Sequence, residues 1–324
     1  MVLVKTGIRT VLATRSTVLA LAAVSVLGPY LPAEASSANI AAPDTAAPIC
    51  TAPKAHAALA AELSRDIAAA LRGRSGQYAV RVEDTRTGVE CRINEGHRFD
   101  SASVVKATIL AALLRWHQET GKPLSTWEKD NAWNMITLSD NTAATNLWNE
   151  LGVARVQHFL NLAQMTETEP DQHGAWGLTQ ITARDELQLL RLLTESNSVL
   201  TSSSRAYELY LMSHVVSYER WGTPAGAPSR LNVYVKNGWL PYPSLWIINS
   251  IGAFSGHGRD YKMAVLTDDS PSEGYGIDTI DRVAEVVHRD LNAGLPSAGS
   301  PVAAVKVPQS QLGRPDEVLP RTAR

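Results

Sequence analysis

The chain has 324 residues, 44% of them hydrophobic, and a formal net charge of −2 at pH 7. This composition is typical of a globular protein with one large domain or two small ones. A net charge so close to zero gives no reason to expect a nucleic-acid partner. Apolar runs of about 18 residues are missing beyond the N-terminus, so we expect no membrane span in the mature protein.

Residues 1–35 have the pattern of a signal peptide. Three basic residues precede an apolar stretch at 17–27, and the small residues at positions 33 and 35 fit a cleavage site. We therefore predict a secreted, extracellular protein that is cleaved near Ala35. The alternative is an uncleaved membrane anchor.

Cys50 and Cys91 are the two cysteines of the chain. In an exported protein an even number of cysteines predicts a disulfide, which here would tie the segment before the first helix to an early strand. The alternative is a pair of half-buried free thiols. The eight histidines are scattered and there is no Cys-x-x-Cys pair, so we predict no metal site.

Hydrophobic periodicity predicts one domain at 51–294, between a disordered linker at 36–50 and a disordered tail at 295–324. Serine and threonine at 125 and 182 resemble helix N-caps. A β-hairpin is predicted at 77–94, and further strands at 231–235, 246–254 and 261–267. Helices are predicted at 52–72, 103–117, 126–135, 141–150, 154–163, 182–194, 203–215 and 278–291. This order favours one antiparallel sheet, covered by the terminal helices and flanked by a helical block.

Ser103 and Lys106 begin an apolar run with the pattern of a helix. Residues three apart on a helix share one face and are within reach of each other. A lysine can act as a base only when burial or nearby positive charge lowers its pKa from about 10.4. We interpret Ser103 as a candidate nucleophile and Lys106 as its base. The alternative is a helix-starting serine with a surface lysine, because Ser-x-x-Lys occurs by chance about once in a chain of this length.

Ser139-Asp140-Asn141 precedes another helical pattern. We expect Ser139 to relay a proton to the leaving nitrogen, Asn141 to bind a substrate amide and Asp140 to tie down the loop. The alternative is a plain helix start, since all three residue types are preferred N-caps.

Lys236-Asn237-Gly238 follows an alternating strand pattern. Lys236 can lower the pKa of another lysine, and the strand edge can bind an extended substrate. Gly238 would let the substrate approach closely, and the N–H of Trp239 could join that of Ser103 in an oxyanion hole. The alternative is a turn at a strand end.

We call the three motifs boxes: the first is Ser103 to Lys106, the second Ser139-Asp140-Asn141 and the third Lys236-Asn237-Gly238. In this order they match the Ser-x-x-Lys, Ser-Asp-Asn and Lys-Thr-Gly signature of class A β-lactamases and penicillin-binding proteins. The chain resembles class A β-lactamase-related secreted serine hydrolases over residues 52–293. The resemblance implies an α+β fold, a three-layer α/β/α sandwich with a five-stranded antiparallel sheet and an all-helical lobe. The active site would lie between sheet and lobe.

The resemblance also implies roles for individual residues. Ser103, Lys106, Ser139 and Lys236 would be catalytic, and Asn141 would bind substrate. No cofactor is implied. The partner would be a small β-lactam or a peptidoglycan-like molecule, bound by a monomer.

Two of the departures from the family pattern concern substrate binding and deacylation. Asn237 stands where the family has a hydroxyl that helps to hold the β-lactam carboxylate, so we expect its amide to donate there instead. The family's Glu-Pro-x-x-Asn loop, whose glutamate activates the deacylating water, has Glu169 followed by Pro170 here but His173 at the Asn position. We therefore expect Glu169 to be a surface residue.

Three functions remain open at this point. The first is a β-lactamase-like serine hydrolase that forms an acyl-serine. The second is a D-Ala-D-Ala peptidase or another cell-wall amidohydrolase with slow deacylation. The third is a non-catalytic binding protein, although it would have no reason to keep the polar residues of all three boxes.

Overall fold

The computed structural model describes residues 48–295. The predicted signal peptide, most of the linker and the tail from residue 296 lie outside the described residues. Within 48–295 the helices are α1 (Ala57–Leu71), α2 (Val105–Thr120), α3 (Thr126–Thr137), α4 (Asn141–Ala163), α5 (Ala183–Thr194), α6 (Ser202–Ser213) and α7 (Glu273–Leu291). The strands are β1 (Cys50–Thr51), β2 (Gln77–Asp84), β3 (Val89–Ile93), β4 (Phe99–Asp100), β5 (Gln180–Ile181), β6 (Asn232–Pro241), β7 (Trp246–Gly256) and β8 (Arg259–Ser270).

The main sheet is antiparallel, in the order β1-β3-β2-β8-β7-β6. It has six strands rather than the predicted five, because β1 pairs with β3. Cys50, placed in the linker by the sequence, belongs to this extra strand and lies opposite Cys91 in the register. A two-residue strand is too short to produce an alternating pattern and leaves no signal in the sequence. The predicted disulfide between the two cysteines is confirmed.

Terminal helices α1 and α7 pack on each other and on one face of the sheet. Their apolar residues recur every three or four positions, so each helix has one apolar stripe to bury. The buried residues of this stripe include Ala60, Leu63, Ile67 and Leu71 in α1, and Ile280, Val283, Ala284, Val287 and Leu291 in α7. Helix α5 packs on the other face against β2, β7 and β8, and α2, α3, α4 and α6 extend that layer. The predicted α+β sandwich with a helical lobe is confirmed.

Local signals placed most helix boundaries correctly. Ser125 and Glu128 form the predicted capping box at the start of α3, and Thr182 caps α5. Helix α4 joins the two predicted helices at 141–150 and 154–163, and the joint is the non-helical Gly152. None of the helices between residues 48 and 295 is long and apolar enough to cross a membrane.

Two boundaries that matter for the boxes differ from the prediction. Residues 102–104 form a 3-10 turn, and α2 begins only at Val105. Strand β6 continues through Lys236-Asn237-Gly238 to Pro241, so the third box lies inside a strand and not at its end.

The disulfide closes a loop of 41 residues in sequence. Replacing Cys50 and Cys91 together by serine should lower the free energy of unfolding by about 2–4 kcal/mol, because the unfolded chain regains the entropy of the open loop. For a domain of this size that corresponds to a loss of roughly 5–15 °C in Tm, measurable by calorimetry. Strands β1 and β3 lie at the sheet edge opposite β6, so reactivity of Ser103 should not change. An unchanged Tm would show that the disulfide adds no stability.

Candidate active site

Ser103 lies in the 3-10 turn that leads into α2, and its exposed fraction is only 9%. The preceding Ala102 has a φ of +47°, a left-handed conformation that non-glycine residues seldom adopt and that marks local strain. The Asn249 side chain from β7 holds this segment by donating to the backbone oxygens of Asp100 at 2.9 Å and Ser101 at 3.3 Å. The turn is thus a strained segment clamped onto the sheet.

Strand β6 packs directly under the Ser103 turn at Gly238. A Cβ atom at Gly238 would lie 2.7 Å from the backbone nitrogen of Ser103 and 2.8 Å from that of Val104. Real Cβ atoms essentially never come this close to backbone. The absence of a side chain at Gly238 thus lets the Ser103 turn pack against β6, whereas the predicted close approach of a substrate to Gly238 stays a prediction.

Lys106 joins the first box to the second. Its Nζ is fully buried and donates to the backbone oxygen of Ser139 at 2.6 Å, to the Ser139 Oγ at 3.3 Å and to the Asn141 Oδ1 at 2.8 Å. The same Nζ lies 4.9 Å from the centroid of the Trp176 ring, within range of a cation–π interaction. The face of α2 that carries Lys106 thus meets the loop before α4.

Lys236 approaches Ser139 from the sheet. Its Nζ donates to the Ser139 Oγ at 2.8 Å and to the backbone oxygen of Asn237 at 2.9 Å. Burial lowers the pKa of Lys236 from its usual 10.5 to about 8, and the opposing effect comes from the negative charge of Glu219. The ammonium form of Lys236 is therefore populated below about pH 8 and is lost above it.

Ser139 is the point at which the three boxes meet, because its hydroxyl contacts both lysines. It has a φ of +51°, again in the left-handed region. Asp140 caps α4 by accepting a hydrogen bond from the Ala143 N–H at 2.6 Å, as expected of a residue that ties down the loop. Asn141 is partly exposed and its oxygen accepts from Lys106, which places it beside the lysine.

The structure does not place the Asn237 side chain toward the other box residues. Asn237 is fully buried, and its Nδ2 donates to the backbone oxygens of Glu219 at 2.7 Å and Trp221 at 2.8 Å. Successive side chains of a strand point to opposite faces. Lys236 and Gly238 therefore face the site, whereas Asn237 and Trp239 face away from it. Its predicted donation to a substrate carboxylate does not fit this geometry.

Trp239 follows the same alternation. Its indole is 5% exposed and packs edge-to-face against Trp221 at 6.0 Å between centroids. The role predicted for Trp239 belongs to its backbone N–H, and β6, which carries it, is the outer strand of its sheet. Donation by that N–H stays a prediction.

Glu169 lies on the surface. Its side chain is 62% exposed and pairs with Arg98 at 2.9 Å between Nη1 and Oε2. Its backbone exchanges two hydrogen bonds of 2.9 Å with Gln180, beside the small β4–β5 ladder. This geometry supports the surface interpretation of Glu169.

Three residues near the site gave no sequence signal. Asn249 holds the Ser103 turn, Trp176 packs on Lys106, and Glu219 acts electrostatically on Lys236. Each comes from a separate part of the chain and belongs to no recognisable motif. Only the packing of the helical lobe on the sheet brings them together.

Comparison with known families and structures gives a consistent result. A family model described as the β-lactamase enzyme family matches residues 62–127 and 116–291. No curated protein sequence matches the chain.

Among solved structures, the TLA-3 extended-spectrum β-lactamase shares 16% identity with a TM-score of 0.63, over 70% of this chain and 97% of that one. A class A β-lactamase from Bacteroides cellulosilyticus shares 15% with a TM-score of 0.63, over 71% and 97%. A β-lactamase from Xanthomonas campestris shares 20% with a TM-score of 0.61, over 72% and 98%. At these identities the likeness shows the fold.

The contact between Gly238 and the Ser103 turn leads to a prediction. Gly238→Ala should lower the rate of covalent labelling of Ser103 roughly 10–100-fold, because the added Cβ must displace the serine backbone. Overpacking should also cost about 1–3 kcal/mol of unfolding free energy. Labelling by benzylpenicillin, followed by intact mass, measures the first effect and thermal unfolding the second.

Gly274→Ala is the matched control. Gly274 lies in the first turn of α7, and no heavy atom lies within 4 Å of a Cβ at that position. The change should leave labelling intact and alter stability by no more than about 1 kcal/mol. Equal labelling of the two variants would show that the contact at Gly238 does not position Ser103.

Proposed function

Because the chain belongs to the β-lactamase enzyme family and is a serine hydrolase of that type, we propose that it cleaves β-lactams or related amides through an acyl-serine at Ser103. The observation that carries this proposal is the convergence of Lys106 and Lys236 on the Ser139 hydroxyl, at 3.3 Å and 2.8 Å. Lys106, Lys236 and the Ser139 hydroxyl are buried together, and Ser103 precedes Lys106 by three residues. These groups supply the base and the proton relay of acyl transfer.

Acylation follows from these positions. Neutral Lys106 takes the proton of the Ser103 hydroxyl as the oxygen attacks the substrate carbonyl. The oxyanion that forms accepts hydrogen bonds from the N–H groups of Ser103 and Trp239. As the carbon–nitrogen bond breaks, Ser139 gives its proton to the leaving nitrogen and regains one from a lysine ammonium. The product is an ester of Ser103.

Substrate binding rests on the remaining polar groups. Lys236, kept as an ammonium below about pH 8, attracts a substrate carboxylate. Asn141, partly exposed beside Lys106, binds the amide side chain of the substrate. Asn237 instead orders the segment behind β6 through the carbonyls of Glu219 and Trp221.

Deacylation requires a water molecule to attack the ester. Glu169 is engaged with Arg98 at the surface, and this observation favours the second candidate, a cell-wall D-Ala-D-Ala peptidase or amidohydrolase whose penicillin ester is long-lived. The two candidates share the acylation step and differ in how long the ester lasts. A non-catalytic binding protein has no use for lysines buried in this arrangement.

We also propose that the protein is exported. The N-terminal signal pattern, which lies outside the described residues, predicts secretion. The Cys50–Cys91 disulfide is the type of bond that persists in oxidising compartments. A peptidoglycan-like substrate or a β-lactam would be met there.

Ser103 is tested directly by mass. With excess benzylpenicillin, the mature protein should gain the mass of one penicillin, and Ser103→Ala should gain none while keeping its Tm. A persistent adduct supports the slow-deacylation candidate, and penicillin consumed without a lasting adduct supports a β-lactamase. Labelling that survives in Ser103→Ala would refute the assignment of the nucleophile.

Glu169 leads to a separate prediction. Glu169→Gln should change the lifetime of the acyl-enzyme less than about twofold, because the carboxylate faces solvent and Arg98. The lifetime is read by intact mass after excess penicillin has been removed. Arg98→Gln is the matched control, since it breaks the same ion pair without touching Glu169. A large accumulation of ester in Glu169→Gln alone would mean that Glu169 is the deacylating base.

A further inference from the structure

Glu219 is a buried carboxylate that the acylation steps above do not use. It lies in a short 3-10 turn (Ser217–Glu219) between α6 and β6 and is 0% exposed. Neither of its carboxylate oxygens has a hydrogen-bond partner among the described residues. A carboxylate in such surroundings is very unfavourable when ionised, unless a nearby positive charge compensates it.

Backbone contacts attach the Glu219 turn to two parts of the site. The Asn237 side chain donates to the backbone oxygen of Glu219 at 2.7 Å, and Asn237 is the neighbour of Lys236 in β6. The Val216 N–H donates to the backbone oxygen of Thr137 at 3.0 Å, two residues before Ser139. The turn therefore bridges the strand and the loop that carry Lys236 and Ser139.

The charges that act on Glu219 come from two other elements. Burial raises the pKa of Glu219, and Lys236 from β6 and then Lys106 from α2 oppose this effect, Lys236 more strongly. On its own segment, the next residue Arg220 donates to the backbone oxygen of Ser213. Glu219 in turn is the charge that raises the pKa of Lys236 against burial.

We propose that Glu219 is the counter-charge of the site that Lys106 and Lys236 form around Ser139. It is a positioning residue that keeps Lys236 an ammonium, so that Lys106 is the lysine that gives up its proton. Two ammonium groups around one hydroxyl repel each other, and the group with the nearby carboxylate retains its proton. The burial of Glu219, its unpartnered carboxylate oxygens and the attachment of its turn to β6 and to the segment before Ser139 support the charge relation, and its catalytic consequence rests on the proposed function.

Glu219→Gln tests this inference, because it removes the charge and keeps the shape. In the variant the pKa of Lys236 should fall below its value of about 8. The rate of Ser103 acylation by benzylpenicillin should then begin to fall at a pH about one unit lower than in the wild type. At the alkaline end of the profile this is a roughly tenfold lower rate. At acidic pH, where Glu219 of the wild-type protein is itself protonated, the two rates should converge. Glu219→Asp keeps the charge and should restore much of the alkaline limb.

Glu208→Gln is the matched control. Glu208 on α6 is also fully buried, and both of its carboxylate oxygens lack a hydrogen-bond partner among the described residues. Burial is the sole cause of its raised pKa, with no lysine acting on it. This variant should change thermal stability without moving the pH profile of acylation. Equal pH profiles for wild type, Glu219→Gln and Glu208→Gln would reduce Glu219 to a structural residue and overturn the proposal.

A substrate-free measurement separates this inference from the proposed function. The 13Cε resonance of Lys236, assigned with Lys236→Arg, should titrate at lower pH in Glu219→Gln than in the wild type. This shift supports the counter-charge even if benzylpenicillin does not acylate Ser103. An unshifted resonance contradicts it even if acylation occurs. If Glu219→Gln does not fold, the wild-type protein provides the test. The chemical shift of the Lys236 13Cε should change at the pH where the Glu219 13Cδ titrates. The absence of that change would overturn the proposal.

Discussion

The arrangement around the Ser139 hydroxyl is the constraint on which the rest of the site depends. Two buried lysine nitrogens contact one oxygen, at 3.3 Å and 2.8 Å. Cations are costly to bury, so each nitrogen also has oxygen acceptors, among them the backbone carbonyls of Ser139 and Asn237. The helical lobe supplies one lysine and the sheet the other. The site therefore depends on the packing of the helical lobe against the sheet.

Backbone strain accompanies this arrangement. Ala102, just before Ser103, and Ser139 both have left-handed φ angles, which cost of order 1–3 kcal/mol each in non-glycine residues. The surrounding packing offsets this cost. Asn249 clamps the Ser103 turn onto the sheet, and Gly238 allows the turn to sit directly on β6. Strain is thus concentrated just before Ser103 and at Ser139, the two residues whose hydroxyls are proposed to take part in proton transfer.

The loop that bears Glu169 contacts the site through Trp176, while Glu169 itself lies at the surface. Strands β4 and β5 join this loop to the residues just before Ser103, and Trp176 places its ring over Lys106. The loop therefore packs against Lys106, the proposed base. Its glutamate, however, faces Arg98 and solvent. Chemistry that depends on the lysines is well supported, whereas activation of a water by Glu169 is not.

The sequence by itself determined the main elements of the fold and predicted the candidate site residues that the structure brings together. Helix and strand periods, caps such as Ser125 and the order of the three boxes are local or short-range signals, and they predicted the α+β sandwich and the convergence of the three boxes on one site. Strand β1, with only two residues, has no period and could not be predicted in this way. The pairing of Cys50 with Cys91 was one of two open alternatives.

Only the tertiary structure decided which way the side chains of β6 face. Strand alternation, counted from the buried Lys236, turns Asn237 away from the site and Gly238 toward Ser103. Likewise, Glu219 acquires its importance from lysines 17 and 113 positions away in the chain, since charge interactions act through space and leave no local pattern. Local chemistry can be read from neighbouring residues, but burial and long-range proximity are properties of the packed chain.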